Sequence, residues 1–163
     1  MVASIFHILS HAATKSLLFI SAIGLTDVSK GSRKFQDLTG AAYRHKIAGI
    51  GFTVGSLSMV GMPLFSGFVS KLLFAQASIG HAYKMLPALI VLGISTILNA
   101  IYFMKTVIRI FVPERRSDCE VITIKSEKTY ALTIVLFIAL NIALGMLSQP
   151  IVEWIKMGLD MFA

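Results

Sequence analysis

Cysteine is almost absent: Cys119 stands alone in 163 residues, so the chain can form no internal disulfide and has no pair of thiols spaced to hold a metal. Acid is scarce too. The eight Asp and Glu all fall in polar connections or in the C-terminal tail, which leaves no carboxylate inside the apolar segments to complete a metal site. Charged residues make up only 14% of the chain, where soluble domains carry about 25%. No Asp, Glu, Lys, Arg or His occurs from Met85 to Met104, or from Thr129 to Pro150. What is abundant is apolar: 56% of the residues are hydrophobic and the mean hydropathy is +0.80. Uncharged runs of about 20 residues match the hydrocarbon thickness of a bilayer. The chain reads as an integral membrane protein.

A net charge of +7 does not point to nucleic acid, because the basic residues sit in connections between apolar spans, with no soluble face to display them. The first apolar segment is expected to be a span rather than a signal peptide. It lacks a basic leading region and a small-residue cleavage site, and it contains His7, His11 and Lys15. No glycine-rich dinucleotide fingerprint and no nucleophile–base constellation appears, so neither a cofactor site nor a catalytic site is expected in this chain.

The expected architecture is an all-α transmembrane bundle, a single domain over residues 1–163. Its spans cover about 2–25, 47–80, 85–111 and 130–147, the last ended by Gln149-Pro150, and residues 150–163 form an interfacial helix to which Trp154 is suited. The second segment is too long for one ordinary span. Its middle, GMPLFSGFVSK, places Gly61, Pro63 and Gly67 within seven residues, and Pro63 removes a backbone donor and disfavours helix at Met62. Two half-helices, 47–60 and 68–80, are expected around that break. The charges then set the topology. Lys30, Arg33, Lys34, Arg44 and Lys46 occupy the first connection, and Lys105, Arg109, Arg115, Arg116, Lys125 and Lys128 the second with its flank, against only Lys84 and Lys156 in the opposite connections. Cations gather on the cytoplasmic side. Both basic connections are cytoplasmic only if 47–80 crosses once, giving four crossings; two tightly packed full spans would put one of them on the wrong side.

The stretch FHILSHAATKSLLF sets His7, His11 and Lys15 four residues apart inside the first span. That spacing returns to one helix face, at about 6 Å per rung. Ionisable groups at bilayer depth are costly and usually face the protein interior, where they mark ion pathways. Histidine titrates near neutrality, and desolvation draws a buried amine towards a range in which protons exchange. The ladder, with Ser10 and Thr14 beside it, suits proton transfer; the alternative is a polar contact between helices. Ligation of a metal or haem by His7 and His11 is a third reading. Lys71 is the second intramembrane lysine. His45 and His81 are expected to be solvated, Asn99 and Asn141 to bond between helices, and Gly49, Gly51 and Gly55 to allow close helix packing.

FHILSHAATKSLLF and SLSMVGMPLFSGFVSKLLF resemble two motifs of the antiporter-like membrane subunits found in respiratory complex I, in multi-subunit cation/proton antiporters and in membrane-bound hydrogenases. The resemblance covers essentially the whole chain. It implies that Lys15 is the central relay lysine with His11 and His7 upstream. It also implies that Lys71 is the ionisable group of the second broken helix, on the half-channel to the outside, a position that is Glu in some members. Members are about three times as long and built from two inverted repeats. This chain resembles only their last four helices, as a fragment, a split subunit or a truncated product would, and the partners implied are other membrane subunits, including one supplying the missing helices. A bacterial or archaeal plasma membrane is the implied location. The functional expectation is a proton-translocating subunit, or its C-terminal portion, coupled to electron transfer or antiport elsewhere in its complex. A structural scaffold without an ion path of its own is the alternative.

Overall fold

The computed structural model describes residues 1–32, 34–79, 82–113 and 128–161. Among the described residues there are seven helices and no strand: α1 (Val2–Asp27), α2 (Ala41–Arg44), α3 (Lys46–Val60), α4 (Ser66–Ile79), α5 (Ala82–Ile110), α6 (Lys128–Met146) and α7 (Ser148–Asp160). The helices α1 and α6, and α5 from Met85 onwards, are each long and apolar enough to cross a membrane. At 26 residues, α1 is about 39 Å long, ample for a hydrocarbon core of about 30 Å.

The pair α3–α4 makes one pass antiparallel to α1. From the C-terminal end of α1 towards its start, Gly24 meets Ala48, Ser21 meets Gly51, Leu18 meets Gly55, Thr14 meets Ser58, Ser10 meets Ser66, and His7 meets Ser70. The partners rise without reversal across the break, which is the behaviour of one discontinuous helix. Gly51 and Gly55 make the approach possible: a methyl group at Gly55 would lie 2.8 Å from Leu18 Cγ.

The break is built by local chemistry. Gly61 ends α3 in the left-handed region at φ 91°, its N–H bonded to the Ser58 carbonyl, while the Met62 N–H returns to the Leu57 carbonyl. That is the Schellman termination, and it favours glycine because a Cβ is strained there. Pro63 follows, and Leu64 also takes a positive φ, of 89°. Helix α6 closes over this turn, with Gly145 so near the Leu64 carbonyl that a side chain would collide with it.

A small apolar core of Leu25, Ala41, Ala42, Ala48 and Ile110 lies at one end of the bundle, joined by Leu38, Phe52 and Tyr130. The end of α1, the connection after it, the end of α5 and the start of α6 therefore converge there. Lys105 Nζ and the Arg109 guanidinium lie 5.4 and 5.8 Å from the Phe35 ring, so cations of both basic connections share this end. Residues 114–127, including Cys119, lie outside the described residues, as does His81.

Two expectations change. His45 is buried, not solvated: it caps α3 by accepting from the Ala48 N–H at 3.4 Å and stacks obliquely on Tyr130. Pro150 does not end α6, which stops at Met146; it lies in the first turn of α7, where a missing N–H costs nothing. Outside the core, large apolar side chains of α5 and α6 such as Ile94, Leu98, Leu132 and Leu136 point outward, as they do against lipid or other membrane helices.

Candidate functional site at the helix break

Three of the four ionisable groups singled out in the sequence meet at one cavity. It has a volume of about 670 Å³ and lies between α1, α3, α4 and α5, with His7, His11, Lys71, Ser70, Phe74 and Asn99 among its lining residues. His7 and His11 stack with ring centroids 5.5 Å apart, as successive rungs on α1. His7 Nδ1 lies 2.7 Å from Ser70 Oγ, one residue before Lys71, and its ring stands edge-on to Phe74.

Lys15 is the exception. A step of four residues overshoots one turn by about 40°, so the third rung has swung round the helix. Lys15 is not a lining residue of the cavity, and its Nζ sits 5.9 Å over the ring of Phe103 on α5.

Lys71 reaches back across the break. Its Nζ donates to the Val60 carbonyl at 2.7 Å, at the C-terminal end of α3, and to Thr96 Oγ1 on α5 at 2.9 Å. A helix C-terminus carries partial negative charge and unpaired carbonyls, which suit a cation. Gly61 lies alongside: a Cβ there would come within 3.0 Å of Lys71 Cδ.

Beneath the cavity runs a buried hydrogen-bond chain with a definite direction. Ser10 Oγ donates to Ser66 Oγ at 2.9 Å, Ser66 Oγ to Asn141 Oδ1 at 3.1 Å, and Asn141 Nδ2 to Thr14 Oγ1 at 2.8 Å. Thr14 Oγ1 lies 3.2 Å from Ser58 Oγ, which accepts the Gly67 N–H at 3.3 Å. Helices α1, α3, α4 and α6 are thus tied at the break. Sequence reasoning found Ser10, Thr14 and Asn141, but not Ser58, Ser66, Ser70 or Thr96. A lone serine or threonine in an apolar helix carries no periodic signal, and these side-chain partners lie 25 to 127 residues apart.

Among the described residues no group of three His, Cys, Asp or Glu side chains converges. The His7–His11 pair therefore has no third donor of that kind beside it there.

The family described as the transmembrane part of NADH:quinone oxidoreductase and the Mrp antiporter matches residues 1–105, from α1 through most of α5. The chain belongs to this family. Na(+)/H(+) antiporter subunit A1 of Staphylococcus haemolyticus strain JCSC1435 is 30% identical over 170 residues, which cover 93% of this chain and 20% of that protein. NADH-quinone oxidoreductase subunit N of Saccharopolyspora erythraea is 24% identical over 159 residues, covering 97% of this chain and 30% of that one. A chain in the solved Mrp complex from Dietzia sp. DQ12-45-1b shares the fold with a TM-score of 0.78 and 22% identity, over 94% of this chain and 36% of that one. This NADH:quinone oxidoreductase/Mrp antiporter family member is an integral membrane protein that spans about a fifth to a third of the length of these relatives.

Proposed function

We propose that this family member forms part of a proton-translocating, antiporter-like subunit and passes protons along His7, His11, Lys15 and Lys71. One observation carries the reading: two titratable imidazoles and an amine line a single cavity at a helix break. Irregular backbone at membrane depth persists where it is buried in protein or lines a water-filled space. Half-helix ends beside an ionisable group are a recurrent way to build an ion site. Lys15, one turn beyond His11 but outside that cavity beside Phe103, is the next group along α1. Other membrane subunits cover the outward apolar faces of α5 and α6, and one of them supplies the helices that the longer relatives possess. Both basic connections face the cytoplasm of a bacterial or archaeal cell.

Transport by reconstituted vesicles holding the chain in its native assembly tests the reading. Lys71→Ala is expected to abolish proton movement while the variant still accumulates in the membrane. The scaffold reading draws on the buried chain from Ser10 through Ser66 and Asn141 to Thr14, and it expects transport to survive that substitution. Normal transport by Lys71→Ala ends the relay reading.

A further inference from the structure

Lys71 has two fixed acceptors, and their chemistry restricts what its nitrogen can do. The Thr96 hydroxyl has one proton, which it donates to the Leu92 carbonyl at 2.8 Å. Towards Lys71 it can therefore only accept, and the Val60 carbonyl can only accept. A lysine nitrogen has four tetrahedral positions. One holds the side-chain stem and two are N–H groups pointed at Val60 O and Thr96 Oγ1. An amine has two N–H groups and an ammonium three, so both protonation states satisfy both acceptors.

We infer that Thr96 is a positioning residue that, with the Val60 carbonyl, holds Lys71 as a fixed station whose proton exchanges at one remaining position without the side chain swinging. A proton arriving from a water or an imidazole bonds to the lone pair there, and it leaves from the same position to the next base. The surroundings fit a station rather than a swinging arm. The stem is flanked by Gly61, with Nζ 3.2 Å from where a Cβ would stand. Lys71 also lines a second cavity, of about 530 Å³, whose wall includes Gly61, Leu72, Thr96 and Ile97. Lys71 thus borders both that space and the cavity of His7 and His11.

This inference rests on the relay reading, and its test separates the two. Thr96→Val keeps the shape and removes the acceptor; Thr96→Ser keeps the acceptor and removes a methyl group. In vesicles bearing the native assembly, Thr96→Val is expected to lower transport about tenfold at the wild-type optimum and displace its pH profile by about one pH unit, the scale of one charge-assisted hydrogen bond. Thr96→Ser is expected to retain the wild-type profile. Thr96→Ala, which removes the hydroxyl without adding bulk, reports the same change independently. A wild-type profile in the valine and alanine variants overturns the inference. So does a serine variant displaced as far as the valine one, which would mean that packing matters and the hydroxyl does not. Retained transport in Lys71→Ala overturns the relay reading and this inference together; lost transport there with unaltered Thr96 variants overturns this inference alone.

Discussion

The Ser66 hydroxyl donates to Asn141 Oδ1 across 3.1 Å, tying the first turn of α4 to the buried face of α6. Both residues are fully enclosed. Asn141 serves two partners at once, since its amide also donates to Thr14 on α1. Replacing it by leucine leaves the Ser66 proton and a Thr14 lone pair without a partner. Interhelical hydrogen bonds in membranes average about 0.6 kcal/mol and reach about 2. Asn141→Leu is expected to cost about 1–2 kcal/mol, measured as unfolding in detergent. An unchanged midpoint would show that the chain of hydroxyls is not held by Asn141.

Close backbone approach gives a second prediction. A methyl group at Gly67 would collide with the Ser58 carbonyl, which belongs to the backbone and cannot rotate away. Gly67→Ala is expected to destabilise the protein by about 1–3 kcal/mol, the range for overpacking. Gly93 on α5 meets nothing within 4 Å, so Gly93→Ala is expected to stay within about 0.5 kcal/mol or to gain slightly from helix propensity. Equal effects of the two substitutions would contradict the packing at the break.

Lys71→Arg separates charge from titration. The guanidinium can still donate to the Val60 carbonyl and Thr96, but it does not deprotonate in proteins. The variant is expected to assemble normally and to transport at the level of Lys71→Ala, read as proton uptake by vesicles. Wild-type transport by the arginine variant would remove titration at this position from the mechanism.

Topology is tested by single cysteines in a Cys119→Ser background. Gln36 lies exposed in the first basic connection and Glu153 lies exposed on α7. Gln36→Cys is expected to react from the cytoplasmic side, Cys119 in the unmodified chain is expected to do the same, and Glu153→Cys is expected to react from the opposite side. Reaction of Gln36→Cys and Cys119 from opposite faces would contradict a single crossing by α3–α4.

The helical bundle and the break were legible because their signals are local. Uncharged runs of membrane length, and Gly61 and Pro63 at a helix end, specify backbone conformation within a few residues. The candidate site was legible only in part. His7, His11 and Lys71 are conspicuous because ionisable groups are costly in apolar helices, whereas the drift of about 40° per step of four, accumulated by the third rung, turns Lys15 away to Phe103. The acceptors of Lys71 were hidden for a different reason. One is a main-chain carbonyl, which has no residue identity, and the other is a threonine that already satisfies itself within α5. His45 misled because a histidine in a polar connection normally faces water, whereas here it caps a helix under Tyr130.

The closeness of Gly145 to the Leu64 carbonyl bears on how the chain is made. The turn that interrupts α3–α4 leaves the ribosome well before α6, whose Gly145 lies against it. Until α6 is synthesised and inserted, the polar backbone at residues 61–65 has no such cover and must stay in the insertion machinery or in water. Insertion of the broken helix is thus a late event that waits on a segment about 80 residues downstream. A chain truncated before Lys128 should hold α1 in the bilayer and leave α3–α4 accessible to proteases.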